Sequence, residues 1–288
     1  MIDYPIIFNS NPPKVLYHYT SQEGLIGVVT NHVLWATDIR YLNDSSEYTY
    51  GEDIVKRVIS RRKKGARGDL KKLFEDFDAA ESMFSETRYF VTSLTENGNL
   101  LSQWRGYTPN GNGFSLGFSV EKLQEILGKR GEFSLVRCVY HQAEQEELVN
   151  QAIDGAIEEW KQRDDPLPKV GNATPIRIYP PVTLRVVCSF IAPVFKSKTF
   201  SEEMEWRLVL TQNDPSKLRF RSGQSMITPY LEINLLADPD RLESMPLSEV
   251  IIGPTPHPEL AESAVQTLLR SQYFRARISL SDIPFRSW

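Results

Sequence analysis

Three ionisable side chains stand at alternate positions in the segment Glu203-x-Glu205-x-Arg207. If residues 204–210 form a strand, these three side chains share one face, and Trp206 lies on the opposite, apolar face. A carboxylate pair beside a guanidinium could stabilise a cationic transition state while binding an anionic substrate. The same row is also typical of a solvated strand face with a weak surface ion pair. The spacing alone leaves both interpretations open.

A histidine lies near the amino end, in an apolar and aromatic segment that precedes a helix signal. Residues 14–19 predict a buried strand, and Thr20 followed by Glu23 predicts a capping box with a helix beginning at Ser21. His18 shares its strand face with Thr20 and lies beside the positive end of that helix. There an imidazole can hold a ligand hydroxyl or phosphate, although a half-buried structural histidine fits the same pattern.

Two other kinds of catalytic site are disfavoured. The segment Gly113-Phe114-Ser115-Leu116-Gly117 matches the Gly-x-Ser-x-Gly elbow of serine hydrolases, but that elbow needs a helix directly after the serine. Here a turn precedes Ser115, and the next helix is predicted only from about Val120. No metal site is predicted, because the histidines are scattered without paired-ligand spacing. They are His18, His32, His141 and His257.

The composition is that of an ordinary globular protein. The 288 residues are 41% hydrophobic and 24% charged, with a formal net charge of −4, which argues against a general nucleic-acid coat. Cys138 and Cys188 have no metal-ligand spacing and suit a reducing compartment. The amino terminus lacks the pattern of a signal peptide, and the apolar window 182–195 is too short to span a bilayer. These features predict a cytoplasmic protein.

A basic segment from Lys56 to Lys72 carries nine lysine and arginine side chains, with Gly65 and Gly68 interrupting its helical pattern. Such a segment could guide a nucleic acid or another phosphate-rich acceptor. A solvated helix face is the simpler interpretation, and no aromatic residue is interleaved that could stack on bases.

The remaining patterns alternate strands and helices along the chain. Asp44 and Glu47 predict a second capping box, and the proline-rich stretch 165–181 predicts a connection without a domain boundary. The predicted strands are 33–36, 88–94, 114–118, 133–140, 204–210, 218–221, 226–236, 249–252 and 276–280. The other predicted helices are 99–107, 120–127, 143–163, 182–196 and 258–271.

Several short motifs, taken in order, resemble a known family. They are Leu16-Tyr17-His18-Tyr19-Thr20-Ser21 with Gly24-Leu25, Asn43-Asp44-x-x-Glu47, Ser93-Leu94, Trp104-x-x-Tyr107, Glu203-x-Glu205-Trp206-Arg207 and Ile251-Ile252-Gly253-Pro254. Their succession is similar to a bacterial domain family of unknown function that is grouped with the ADP-ribosyltransferases. The His18 strand also resembles the opening of DNA- and RNA-modifying ADP-ribosyltransferases, in which a histidine at this point contacts the NAD ribose.

The resemblance implies an α+β fold with two packed, mostly antiparallel sheets, surrounding helices and an NAD cleft between the sheets. It implies one ADP-ribosyltransferase-like domain over residues 1–288, with helical insertions at about 48–85 and 143–198. NAD would be the substrate, and no metal would be required.

The resemblance also implies roles for the two poles of the site. His18 would bind a ribose hydroxyl of NAD, and Thr20 would support the same turn. Glu205 would hydrogen-bond the nicotinamide ribose and stabilise the oxocarbenium-like transition state. Glu203 would orient or deprotonate the acceptor, as in transferases with a paired-glutamate motif.

Other positions carry over less directly from the family. Tyr107 is the first candidate to stack on nicotinamide, followed by Tyr19 and Trp104. Arg40 and Arg207 are candidates for binding the pyrophosphate or for fixing Glu205. No second tyrosine motif follows a central strand, so this chain departs from the family at the nicotinamide pocket.

The function implied by the resemblance is cleavage of NAD at the nicotinamide glycosidic bond and transfer of ADP-ribose to a macromolecule. The acceptor would be nucleic acid or protein, with the basic segment Lys56 to Lys72 as one candidate surface. A toxin or an anti-phage defence effector is the expected biological role. An NAD glycohydrolase and a non-catalytic nucleotide-binding module are the alternatives.

Overall fold

In the computed structural model, the described part of the chain includes ten strands and six α-helices with defined bounds, together with short 3-10 helices. The structure describes residues 11–42, 46–68, 70–71, 74–75, 88–108, 113–130, 134–161, 191–223, 225–236 and 245–284. The strands are β1 (Val15–Thr20), β2 (Val33–Asp38), β3 (Tyr89–Thr95), β4 (Phe114–Ser119), β5 (Ser134–Arg137), β6 (Glu205–Thr211), β7 (Arg219–Ser222), β8 (Ile227–Asn234), β9 (Leu247–Ile252) and β10 (Arg277–Leu280). The helices are α1 (Gln22–Asn31), α2 (Ser46–Lys64), α3 (Leu101–Tyr107), α4 (Val120–Arg130), α5 (Gln142–Lys161) and α6 (Pro258–Ser271).

The strands form one connected sheet in the order β10-β9-β4-β1-β3-β2-β8-β7, with β6 paired to β3 and β5 paired to β6. Every described strand pair is antiparallel except β9 with β10, which α6 connects. The predicted α+β class and the mostly antiparallel pairing are therefore confirmed. The expectation of two separate sheets is corrected, because hydrogen bonds through β3 join all ten strands.

The sheet forks at β3. One edge of β3 pairs with β6 along its whole length. The opposite edge is shared, since its Val91 pairs with Thr37 of β2 and its Thr95 pairs with Tyr17 of β1. β1 and β2 therefore leave the same edge of β3 at different points, and a gap opens between them.

Apolar side chains cover both faces of the sheet. One core cluster lies between the sheet and α1, α4 and α6 and includes Leu16, Phe90, Leu94, Trp206 and Leu208. A second cluster lies between the opposite face and the helices α2 and α5, and it includes Ile54, Val58, Val149, Ile153 and Val209. Each such side chain contributes roughly 1.5–3 kcal/mol by leaving water. Both faces of the central strands are therefore held in place.

The helix after β1 begins one residue later than predicted. Ser21, not Thr20, is the N-cap, and its hydroxyl accepts a hydrogen bond from the Gly24 amide at 3.2 Å. Thr20 remains the last residue of β1, where it pairs with Phe114. Thr20 therefore pairs within the strand and does not cap the helix.

Most other predicted elements appear within a few residues of their expected bounds, and α6 has the predicted bounds. Part of the expected pattern lies outside the described residues. This part comprises the capping side chains of Asp44 and Glu47, the connection at 165–181 and the segment 182–190 of a predicted helix.

Candidate functional site

A cavity of about 620 Å³ lies at the fork of the sheet. This volume falls within the range of roughly 300–1,000 Å³ that is typical of sites for small molecules and cofactors. Six of the predicted site residues line the cavity, namely His18, Thr20, Tyr107, Glu203, Glu205 and Arg207. The structure therefore brings together side chains that are nearly two hundred residues apart in the chain.

His18 occupies the gap that the fork leaves in the hydrogen-bond ladder. Its Nδ1 lies 3.0 Å from the carbonyl oxygen of Ser93, in the part of β3 between its pairings with β1 and β2. Because a carbonyl only accepts, Nδ1 carries the proton, and Nε2 of the neutral ring is an acceptor. Burial lowers the pKa of His18 despite the Ser93 hydrogen bond, and the charge of Arg221 lowers it further. The ring is therefore neutral at pH 7 and can accept a hydrogen bond from a ligand hydroxyl.

The fork also explains how His18 and Glu205 can face the same space. Tyr17, Thr95 and Glu205 form one row of paired residues across β1, β3 and β6, so their side chains share a face. His18 follows Tyr17 and belongs by alternation to the opposite face. In a flat sheet the two groups would be separated, whereas here the side chain of His18 reaches the cavity through the gap.

Glu205 is an almost completely buried carboxylate between two cations. Arg207 donates to both of its oxygens, from Nε at 2.7 Å and from Nη2 at 3.1 Å. Nζ of Lys196 donates to Oε2 at 2.6 Å. Burial alone would raise the pKa of Glu205, but the two cations and their hydrogen bonds outweigh it and lower the pKa to about 2. Glu205 is therefore ionised at neutral pH.

The backbone of Glu205 is fixed as firmly as its side chain. Its amide donates to the hydroxyl of Tyr140 at 2.8 Å, and its carbonyl accepts from the Cys138 amide at 2.9 Å. Burial raises the pKa of Tyr140, so this phenol stays protonated. The carboxylate is consequently presented to the cavity from a rigid support, which is the arrangement that electrostatic catalysis requires.

Glu203 lies near Glu205 but does not belong to the same strand. It is the last residue of a 3-10 turn over Lys198–Glu203, and Met204 then adopts a left-handed conformation with φ 42° before β6 begins at Glu205. The predicted strand row of Glu203, Glu205 and Arg207 is thus corrected for Glu203. Its carboxylate nevertheless reaches the same cavity and bonds to Nζ of Lys196.

Lys196 is one of the cavity residues that the sequence analysis missed. Its side chain is 1% exposed and bonds to both glutamates. Its amide donates to the Val139 carbonyl at 3.1 Å, and its carbonyl accepts from Nε2 of Gln145 at 3.0 Å. The available sequence signal for Lys196 was its position directly after the apolar run 182–195, which suggests burial. A buried lysine requires an anionic partner. The charged row of β6 is therefore a buried network and not a solvated strand face.

The three aromatic candidates have different positions. Tyr107 is 42% exposed and lines the cavity. Trp104 is fully buried, donates from Nε1 to Asn99 at 2.9 Å and packs edge-on against Tyr19 at 4.7 Å. Tyr19 lines only a small adjoining cavity, and its hydroxyl donates to Asn97 and accepts from the Leu100 amide. Trp104 is consequently excluded as a stacking partner, and Tyr107 is the aromatic side chain with suitable exposure.

The two predicted arginines are already engaged by carboxylates. Arg40 forms an ion pair with buried Asp38 at 2.6 Å and is not part of the cavity lining. Arg207 lines the cavity, but it bonds to Glu205 and also to the Pro193 carbonyl at 2.5 Å. Of the two predicted roles, fixing Glu205 fits Arg207, and binding a pyrophosphate fits neither residue. A further arginine in the cavity wall, Arg221, escaped the sequence analysis.

The serine-hydrolase elbow is contradicted by the structure. Ser115 lies in the middle of β4 with no exposed surface and is paired with Tyr19 on one side and Ile251 on the other. No helix begins until Val120, after four more residues of chain. A nucleophile at this position has no access to a substrate.

The basic segment is partly neutralised by acidic side chains. Arg61 bonds to Glu146 of α5 at 3.0 Å, and Arg62 bonds to Asp154 at 2.5 Å. Lys56 pairs with Glu52 within α2. Arg61 and Arg62 thus link α2 to α5, so only part of the segment is available to an acceptor.

Comparisons with known proteins find a partial similarity to one family and indicate no activity. A family model described as a protein of unknown function (DUF2971) matches residues 103–208, which include Tyr107, Lys196, Glu203 and Glu205. No curated protein and no solved structure matches the chain. Over this range the chain is therefore similar to a domain family of unknown function. In the part of the chain that the structure describes, every helix is too short or too polar to cross a membrane.

Proposed function

We propose that the protein is an ADP-ribosyltransferase that cleaves NAD at the nicotinamide glycosidic bond and transfers ADP-ribose to a macromolecule. The observation that carries this proposal is the shared cavity of His18 and Glu205 at the fork of the sheet. A neutral hydrogen-bond acceptor and a carboxylate that is ionised at neutral pH thus face one cavity. These are the two groups that an NAD ribose would require.

The buried carboxylate suits the charge that develops in this reaction. When the glycosidic bond breaks, its electron pair goes to the nicotinamide nitrogen, and positive charge develops on the ribose. Nicotinamide leaves as a neutral molecule, so no strong general acid is needed. Glu205 keeps its negative charge through its contacts with Arg207 and Lys196 and can stabilise the cationic ribose. Because its backbone is also fixed, little reorganisation is needed during the reaction.

His18 and Tyr107 would position the nicotinamide riboside half of NAD. With Nδ1 bonded to Ser93, the His18 ring presents Nε2 as an acceptor for a ribose hydroxyl. The half-exposed ring of Tyr107 lies in the same cavity wall as Glu203 and Glu205 and can stack on the nicotinamide.

Glu203 would direct the acceptor. The acceptor hydroxyl or amine adds to the ribose carbon, and its proton passes to the Glu203 carboxylate. Lys196 bonds to that carboxylate and holds it at the cavity. The second candidate is an NAD glycohydrolase, in which water takes the same acceptor position beside Glu203.

The acceptor and the biological role follow from the resemblance and are proposed with the activity. A nucleic acid or a protein would approach the open side of the cavity near Tyr107, and the basic segment Lys56 to Lys72 would assist a nucleic acid. An effector of this kind would act as a toxin or in defence against phage.

The test is incubation of the purified protein with NAD labelled on its adenylate phosphate, with and without cell extract. A labelled macromolecule indicates a transferase, free labelled ADP-ribose indicates a glycohydrolase, and unchanged NAD contradicts both. Glu205→Gln should lower the rate of NAD cleavage by roughly 100-fold to 1,000-fold. Glu249→Gln is the matched control, because Glu249 is also a buried strand glutamate that bonds to Arg277 and Tyr17 but lies outside the cavity. Equal rates for the two variants would contradict the assigned role of Glu205.

A further inference from the structure

A third cation, Arg221, lies in the cavity wall away from the glutamates. It belongs to β7 at the end of the sheet, and its side chain extends back over the neighbouring strand β8 to β2. Its Nη2 donates to Oγ1 of Thr37 at 3.0 Å, and its guanidinium lies 5.4 Å from the ring centroid of Trp35. Two side chains of β2 therefore fix the direction of Arg221.

Arg221 differs from the other cations of the cavity in its partners. Lys196 and Arg207 are each bonded to glutamates, whereas Arg221 forms no ion pair with any residue that the structure describes. Burial lowers the pKa of Arg221, but an arginine side chain still stays charged at neutral pH. Arg221 is exposed to solvent, and a guanidinium held in one direction without an anionic partner among the described residues is typical of a site for an anionic ligand.

The position of Arg221 relative to Glu205 suits an elongated ligand. Thr37 pairs with Val91 of β3, and Val91 pairs with Val209 of β6. Two inter-strand spacings and the offset from Val209 to Glu205 place the backbone of Thr37, whose hydroxyl bonds to the guanidinium, roughly 16 Å from the Glu205 backbone in a flat sheet. The Glu205 side chain and the twist of the sheet shorten this distance. The cation therefore faces a part of the ligand several bonds away from the ribose carbon at Glu205.

We infer that Arg221 binds the diphosphate of the nucleotide ligand, with Trp35 and Thr37 as positioning residues. A guanidinium has five N–H groups in a planar fork that matches phosphate oxygens. Thr37 uses one N–H, and the cation–π contact with Trp35 uses none, so donors remain for the ligand. The inference rests on the proposed function for the identity of the ligand as NAD, but binding of a nucleoside diphosphate can be tested without turnover.

The experiment is calorimetric titration of the purified full chain with ADP and with inorganic pyrophosphate. Arg221→Gln should weaken ADP binding by about tenfold to a hundredfold, since it removes charge-assisted hydrogen bonds. Arg221→Lys should give an intermediate loss, because it keeps the charge without the planar fork. Arg219→Gln is the matched control, since Arg219 lies two residues earlier on β7, is mostly exposed and contacts Glu232 outside the cavity.

The outcomes separate this inference from the proposed activity. Unchanged ADP binding in Arg221→Gln, an equal loss in Arg219→Gln, or no saturable ADP binding by the unmodified protein would overturn the inference. Arg221-dependent ADP binding without NAD cleavage would support the inference and contradict the activity. NAD cleavage with the same KM in Arg221→Gln would support the activity and overturn the inference. Thermal unfolding of each variant shows whether it is folded.

Discussion

Lys196→Met should destabilise the protein more than any substitution of an exposed lysine. Methionine keeps the length and the apolar stem of the side chain but removes the ammonium that contacts Glu203 and Glu205. Arg207 then remains as one cation for two carboxylates, and the Glu205 carboxylate is 4% exposed. Glu205 thus loses one of its two cationic partners in a buried site.

The expected loss of stability follows from this count of charges. Removing one partner of a buried ion pair typically costs about 3–5 kcal/mol. Because Arg207 still donates to both oxygens of Glu205, we expect the lower end, about 3 kcal/mol. At roughly 2 °C per kcal/mol for a chain of this size, the midpoint of thermal unfolding should fall by about 6 °C. Glu203→Gln in the same protein should restore part of the loss, since it removes one of the two carboxylates.

The pH dependence of stability provides an independent test of the same contact. Glu205 has its pKa lowered from 4.5 to about 2, so its ionised form stabilises the folded state fully above pH 4.5. That contribution is lost as the pH falls from 4.5 towards 2. The difference between the unmodified protein and Lys196→Met should therefore be constant near neutral pH and shrink over this acidic window.

Denaturant unfolding monitored by circular dichroism at several pH values measures these quantities. Lys198→Met is the control, because Lys198 is an exposed lysine two residues further along the chain. If Lys196→Met lost no more stability than Lys198→Met, or if the difference did not change between pH 7 and pH 3, the bridging role of Lys196 would be refuted.

Two further pairs of substitutions test the packing around the cavity. Tyr107→Ala should raise the KM for NAD with little effect on stability, whereas Trp104→Ala should lower the free energy of unfolding by about 3–5 kcal/mol, because Trp104 is fully buried. Steady-state kinetics and chemical denaturation distinguish these effects. A stability loss confined to Tyr107→Ala would contradict the assignment. Gly51→Ala should destabilise α2 by about 1–3 kcal/mol, since the added Cβ would lie 2.2 Å from the Ala192 carbonyl oxygen. Gly128→Ala, with open space around the new Cβ, should instead stabilise α4 by about 0.5–1 kcal/mol, and thermal unfolding that ranked the two glycine variants in the opposite order would show that this close approach is absent.

Local patterns were sufficient for the elements that carry the site. The sequence patterns predicted the bounds of β1 and β6 within one or two residues. For β1 the pattern surrounds His18, and for β6 it is the alternation of apolar residues with Glu205 and Arg207. These strands are short, regular and rich in β-branched and aromatic residues, so their own sequence determines them. The left-handed conformation of Met204 was not predicted, because no sequence pattern indicates a methionine with positive φ.

The environment of the charged residues could not be predicted from alternation. Period-two spacing assigns side chains to faces of a strand, but it does not say what covers each face. Here the cover comes from α2 and α5, and Tyr50 of α2 bonds to Gln145 of α5 at 3.1 Å, which in turn bonds to the Lys196 carbonyl. These contacts join segments separated by 51 and 95 residues, so no local pattern contains them.

The fork of the sheet was also beyond the sequence patterns. Its existence depends on the registers of β1 and β2 against one edge of β3, which are set by the whole sheet. The resemblance led to an expected cleft between two sheets, and the structure places the cavity at a split within one sheet.

The split in β3 has a consequence for how a ligand would arrive. At the split, the Ser93 carbonyl of β3 accepts from His18, and the Thr92 hydroxyl donates to the Trp35 carbonyl, so side-chain contacts hold the two sides of the gap in place. The cavity at the fork is consequently preformed, and a dinucleotide would bind there without displacing a strand. Its encounter rate is then governed by diffusion and orientation and needs no slow rearrangement of the sheet.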